Sequence, residues 1–242
     1  MMKKLFVLSI TVLFVFLINK KTNAQAELKK YSLYGYVSNV QSVMFQDIDG
    51  YWMNDNMLHN RLNFMWYPTD HISGTVQLRN RFMYGDQIKL DTSAVGYADG
   101  IDADNGLFDM SLNVFEEKSF LFNTNIDRLW FSYEKGNFNA KIGRQRINWG
   151  QCFVWNPNDI FNTYSFFDFD YPEKPGSDAI RLQYYTGFAS SVELAVKADK
   201  DKNVTAAFLG RFNKWDYDFQ FLGGVLNSED MVIGAGWAGN IK

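Results

Sequence analysis

The chain has 242 residues, 47% of them hydrophobic and 17% aromatic, with only 4 prolines and no low-complexity tract. That excludes a wholly disordered chain and allows one sizeable folded unit. A formal net charge of −3 offers no bulk positive field for nucleic acid, so any electrostatic specialisation is local.

At the N-terminus, Lys3 and Lys4 precede the apolar run Leu5–Ile18 and a polar stretch reaching Ala24. This is the order of a secretory signal. The run is shorter than the roughly 20 residues that carry a helix across a bilayer. Residues 1–24 are therefore expected to be a cleaved signal peptide and residues 25–242 the exported domain, with cleavage after Ala24 or Ala26. No later apolar run is long enough for a membrane helix, and the lone cysteine, Cys152, excludes an internal disulfide framework.

The exported domain is patterned with a period of two. After an opening strand near 31–45, Leu58, Leu62, Phe64 and Trp66 share one face while His59, Arg61 and Asn63 share the other. Across the turn Pro68-Thr69-Asp70, Ile72, Val76, Leu78, Phe82 and Tyr84 alternate with Ser73, Thr75, Gln77, Arg79 and Arg81. Similar pairs occupy 126–133 with 138–146, 179–185 with 189–197, and 204–212 with 217–225, and a strand near 231–241 completes a predicted ten. Tight turns at 68–70, 134–137, 186–188 and 213–216 alternate with mostly longer links at 46–56, 85–125, 147–178, 198–203 and 226–230. That parity predicts an all-β fold, an antiparallel transmembrane β-barrel in a bacterial outer membrane, turns on one side and loops on the other. Aromatic residues at strand ends, such as Phe64, Trp66, Phe131 and Tyr133, fit the girdles of such a barrel. Taken alone, they fit the core of a soluble β-protein equally well.

With the apolar face towards lipid, the opposite face lines the lumen. Its basic residues are Arg61, Arg79, Arg81, Arg128, Lys141, Arg181, Lys197 and Arg211, against few carboxylates, chiefly Glu193 and Asp218. An open, anion-favouring lumen and a lumen plugged by loop carboxylates paired with these arginines are both consistent with the pattern. The alternation Phe138, Ala140, Ile142 would carry Arg144 and Arg146 to the lipid side, which predicts a local distortion turning at least one of them into the pore or its mouth.

The segment Gly143-Arg144-Gln145-Arg146-Ile147-Asn148-Trp149-Gly150, followed by Trp155-Asn156-Pro157-Asn158-Asp159-Ile160-Phe161-Asn162, resembles a motif of Gram-negative outer-membrane porin-like families, alginate-export-like barrels among them. The resemblance covers about residues 126–185. It implies a pore for solute, extending to acidic saccharides, with Arg144 and Arg146 pore-lining and Trp149, Trp155, Asn156 and Asp159 on a constriction loop. Such families have longer chains and often finish on an aromatic strand end, whereas this sequence stops at Asn240-Ile241-Lys242. Two architectures are therefore expected: an N-terminal piece of a larger barrel, or ten strands closing by themselves around a narrow lumen.

Only two histidines, His59 and His71, are present, so a hydrolytic triad or a histidine metal site has little to draw on and no enzyme is expected. The run Asp99–Gly106 lacks the spacing of a calcium loop, and no cofactor is expected. The expected partners are outer-membrane lipids and small anionic or polar solutes, with no nucleic acid. The function expected is thus a channel or, alternatively, a non-conducting barrel that binds a partner through its surface loops.

Overall fold

The computed structural model describes residues 29–91, 96–151, 156–161 and 173–239. The expected signal peptide and Trp155 lie outside them. Eleven strands form one antiparallel sheet: β1 (Tyr31–Met44), β2 (Met53–Thr69), β3 (Ile72–Gly85), β4 (Ser111–Glu117), β5 (Phe120–Lys135), β6 (Phe138–Gln145), β7 (Ser177–Gly187), β8 (Ser190–Ala198), β9 (Val204–Lys214), β10 (Tyr217–Leu226) and β11 (Asp230–Gly239). Two short helices, α1 (Asp86–Leu90) and α2 (Tyr97–Asp102), come after β3. Neighbours in the sheet are neighbours in sequence, except that β3 lies beside β5, while β4 pairs with β5 off the main path; the sheet is not closed.

The all-β, antiparallel expectation is met, with one strand more than predicted. The extra strand, β4, lies inside the predicted 85–125 connection. Its register against β5 slips between Asn113 and Phe115, so the bulge breaks the period-two pattern that would have revealed it.

Two compact units divide the chain. One comprises residues up to Leu62, Leu78–Ala103 and Ser111–Asn125. Within it, Asn113 Nδ2 donates to Ala98 O at 2.9 Å, and Arg81 Nη2 donates to Ile101 O at 3.0 Å and to Asn123 Oδ1 at 2.8 Å. These bonds fasten α2. The Asn123 amide also donates to Asp102 and Ser111, so this buried residue is satisfied by polar neighbours. Phe115 stacks on Phe122, with ring centroids 5.3 Å apart.

The other unit comprises Asn63–Gln77, Asp104–Met110 and residues from Ile126 onwards. Its strands β6 to β11 pair successively. The β9–β10 turn places Trp215 and Asp216 at φ 57° and 62°, the left-handed pair of a type I′ turn, whose twist matches that of the strands it joins.

The burial pattern of this unit is inverted. Along β8, Val192, Leu194 and Val196 are exposed while Ser191, Glu193 and Ala195 are buried. Along β9 and β10, Phe208, Phe212 and Phe221 are exposed while Thr205 and Gln220 are completely buried. A chain folding for water alone would reverse this preference, because burying apolar area is what stabilises a soluble fold.

Part of the β6–β7 connection covers the polar face. Ile147, Trp149, Ile160 and Phe161 pack on Ala179, Ala195, Ala207, Leu209 and Leu222. Small residues make room for it: a Cβ on Gly234 would stand 2.6 Å from Asn158 Oδ1. The alanines and this glycine lower the floor so that two large aromatic rings, Trp149 and Phe161, sit edge to face upon it at 4.8 Å.

Candidate functional site on the polar face

Glu193 on β8 is the centre of the polar face, with a side chain inaccessible to solvent. Its Oε2 accepts from Trp149 Nε1 at 3.0 Å and from Arg181 at 2.9 Å (Nε) and 2.7 Å (Nη2). Its Oε1 accepts from Gln183 Nε2 at 3.2 Å and faces Arg211 Nη1 at 3.7 Å. Two guanidinium groups therefore share one carboxylate, and the indole ties the covering segment to the same point. Multiple donors are what make a carboxylate tolerable in a buried position.

A second set fastens the far end of the connection. Arg128 Nη2 donates to the carbonyls of Glu173 and Lys174 at 3.0 and 2.6 Å, while its Nη1 holds Asp127 Oδ1 at 2.8 Å. Phe161 O accepts from Ser177 Oγ at 2.8 Å and from Lys197 Nζ at 2.9 Å. Arg146 Nη2 faces Asp159 Oδ2 at 3.7 Å. Burial raises the Asp159 carboxyl above its ordinary 3.8, against the pull of Arg146 and a bond from the Trp149 backbone.

Lys141 shares the polar side of β6 and lies over the Trp130 ring at 4.1 Å, a cation–π arrangement. Asn156 accepts the Asp159 amide through its backbone carbonyl at 3.0 Å, shaping the turn predicted there. In the first unit, Arg61 and Arg79 are buried, as is His59 against the edge of Tyr36 at 5.4 Å.

Arg144 stands elsewhere. It pairs in register with Asp178, continuing the row parity of Ile142 opposite Ile180. It lines a cavity of about 570 Å³ together with Leu107, Phe108, Ile142, Ile180 and Val196. Its guanidinium keeps the apolar-side parity of its strand and is neutralised there, while Arg146, the other arginine for which a turn was expected, faces Asp159. Arg144 Nε and Nη2 meet the two oxygens of Asp178 at 2.8 and 2.9 Å, its Nη1 meets Asp104 Oδ2 at 2.6 Å, and Nη2 also donates to Phe108 O at 2.6 Å. The segment 104–110 thus closes over Arg144 like a cap. Burial pushes the Asp104 carboxyl up, but the Arg144 contact and the amides of Gly106 and Met110 outweigh it and leave it below the ordinary 3.8.

Gly143, the preceding residue, has φ 113°, and a Cβ there would run into Leu129 O. The distortion expected near Arg144 is present in this glycine without reversing the side-chain parity. The sequence pattern put Asp104 in the 85–125 link and Asp178 at the end of the 147–178 link, and joined neither to Arg144. The one signal for Asp178 was a carboxylate next to the predicted 179–185 strand, across from an arginine in the predicted neighbouring strand.

No protein-family model matches this sequence, and no curated protein matches it either. What the chain does therefore has to be argued from its own side chains.

Proposed function

We propose that this chain is the wall of an outer-membrane β-barrel that passes small polar solutes with a preference for anions. One observation carries the reading: the sheet exposes long apolar side chains while it buries arginines, carboxylates and amides. A bilayer is the surrounding that rewards such a surface, since lipid-facing strands alternate apolar outward and polar inward. The secretory-type N-terminus and the resemblance around Gly143–Asn162 to porin-like proteins support the same assignment.

The anion preference rests on charge arithmetic at the polar face. Arg181 and Arg211 share Glu193, Lys141 rests on an indole, and Lys197 donates to a backbone carbonyl. These groups leave a local positive surplus, which raises anion concentration in a low-dielectric passage. The pairing of Arg146 with Asp159 and of Arg128 with Asp127 limits that surplus.

A second reading has its own observation. Ile147, Trp149, Ile160 and Phe161 cover the polar face, as a plug would, and a plugged barrel acts through its surface rather than its lumen. Planar-bilayer recording of the full chain separates the two. The channel reading expects discrete steps with anion selectivity that rises in Glu193→Gln. Folded protein without conductance, in the wild type and in Trp149→Ala alike, would overturn it in favour of the plug.

A further inference from the structure

The segment 104–110 forms a ledge on the apolar side of the sheet. Arg144 holds it through Asp104 and Phe108 O, and farther along Asn105 O accepts the Lys200 amide at 3.4 Å while Gly106 bridges Asp199. Only a glycine fits at 106, because a Cβ there would run into the Arg144 guanidinium. The ledge itself carries apolar side chains, and two of them, Leu107 and Phe108, are exposed.

Alongside the ledge runs the cavity of about 570 Å³ that Arg144 lines. Its floor is one cross-strand row: Phe131 opposite Ile142, Ile142 opposite Ile180, and Ile180 opposite Val196. A second depression of about 270 Å³ adjoins it, sharing Phe131, Ile142 and Ile180 and reaching Tyr133 and Ala140. The two form one apolar groove that follows β5 from Leu129 to Tyr133. Four steps along a strand are roughly 13 Å at about 3.3 Å each.

The lining selects the occupant. Its charged groups stand at the ledge end and are engaged: Asp178 accepts from Arg144 and from the Phe108 amide, and all three guanidinium nitrogens of Arg144 donate. Lys197 directs its ammonium to Phe161 O on the polar face. An ionic group entering the groove therefore meets no free counter-charge. A polypeptide strand fares no better, because the backbone of the floor is spent in the pairing of β5 to β8 and the strand's own amides would be left bare. A hydrocarbon chain needs neither, and it gains along its whole length by leaving water. The groove is also comparable in length with the share of one leaflet in a hydrocarbon core of about 30 Å.

We infer that this groove holds one acyl tail of a bilayer phospholipid, seated along the ledge 104–110 as a fixed lipid, distinct from those that exchange freely around the wall. The inference rests on the outer-membrane reading, which supplies the lipid, and does not depend on conduction.

Native mass spectrometry of the full chain, released from detergent micelles titrated with dipalmitoylphosphatidylcholine, counts bound lipids. The expected result is a single lipid that saturates. Its affinity should fall at least about tenfold, the worth of about two methylenes withdrawn from burial, in Ile180→Trp and in Val196→Trp, whose indoles fill the floor. Either variant serves if the other fails to fold. Leu194→Trp, on the same face of β8 but outside the lining, should bind as the wild type does. Free palmitate, whose carboxylate gains nothing at the engaged polar end, should bind more weakly than the phospholipid. Four results would overturn the inference: no bound lipid, lipids that accumulate without saturating and alike in every variant, tighter binding of palmitate, or protein dimers that the floor variants dissociate. The last means that a second copy covers the groove. Flotation with vesicles reports on the membrane separately. A chain that floats but holds no saturating lipid rejects this inference alone, whereas a chain that does not float overturns the outer-membrane reading and the inference with it.

Discussion

Replacing Arg144 by methionine removes the guanidinium and keeps an unbranched side chain of similar reach. The arginine side chain is 4% exposed, and those of Asp104 and Asp178 are 8% and 5% exposed. Breaking a buried ion pair costs about 3–5 kcal/mol, because a charge is left without its partner in a low-dielectric site. Here two carboxylates are left, which argues for the top of that range. Each keeps some help, however: Asp104 still accepts the amides of Gly106 and Met110, and Asp178 that of Phe108. We therefore expect Arg144→Met to lose about 4 kcal/mol. The triple variant Arg144→Met, Asp104→Asn, Asp178→Asn removes the stranded charges together and should return to within about 2 kcal/mol of wild type, since replacing all members of a buried ion pair by neutral groups is often nearly neutral. Urea titration followed by tryptophan fluorescence measures both, the denaturation midpoint shifting at constant slope. A single variant costing under about 1 kcal/mol, or a triple variant no better than the single one, would refute the account of Arg144 as a charge held by two carboxylates.

Acid should release the cap over Arg144. The Asp104 carboxyl lies below its ordinary 3.8 in the folded state, so its stabilisation is complete above the unfolded value and is lost as pH falls through the folded one. Hydrogen exchange at the Gly106 and Met110 amides, corrected for intrinsic rates, should therefore stay protected at and above the ordinary aspartate value and lose protection only at lower pH, once the Asp104 carboxyl itself takes up a proton; unchanged protection would count against the tether. Phe208→Arg tests the surroundings of the exposed apolar face: in lipid it should cost about 2–4 kcal/mol if near the midplane, whereas at a solvated surface position it would cost under about 0.5 kcal/mol. Folding yield into vesicles and urea stability report the difference. At the β9–β10 turn, Asp216→Gly should stabilise by about 1 kcal/mol, because φ 62° is strained for an L side chain and free for glycine. A loss of stability there would mean that the aspartate side chain supports the turn.

The alternation of the strands was legible because a period of two survives any tertiary arrangement that keeps one face apolar. Leu58 and Trp66 are exposed and His59, Arg61 and Asn63 buried, as the sequence pattern required. The turns were legible for a local reason, polar residues between apolar runs. What could not be read were partnerships made across long sequence separations. Arg144 finds Asp104 forty residues earlier and Asp178 thirty-four later, and nothing local in either carboxylate distinguishes it from a solvated one. The buried state of Gln220 was hidden for a different reason. A glutamine between Phe219 and Phe221 reads simply as a lumen-facing polar residue, and its lack of partners among the described residues is a property of three dimensions.

Among the described residues β11 is joined to the sheet through β10 alone, leaving the other side of its backbone without a neighbour in the strand order. In the hydrocarbon setting proposed above, each bare amide or carbonyl on that rim would cost several kcal/mol. A penalty repeated at alternate residues of this ten-residue strand makes entry into the bilayer one hairpin at a time prohibitive. The rim must acquire its hydrogen-bonding neighbour before or while it crosses the headgroups. If the outer-membrane reading holds, insertion is a concerted event, sensitive to whatever delays the pairing of this edge.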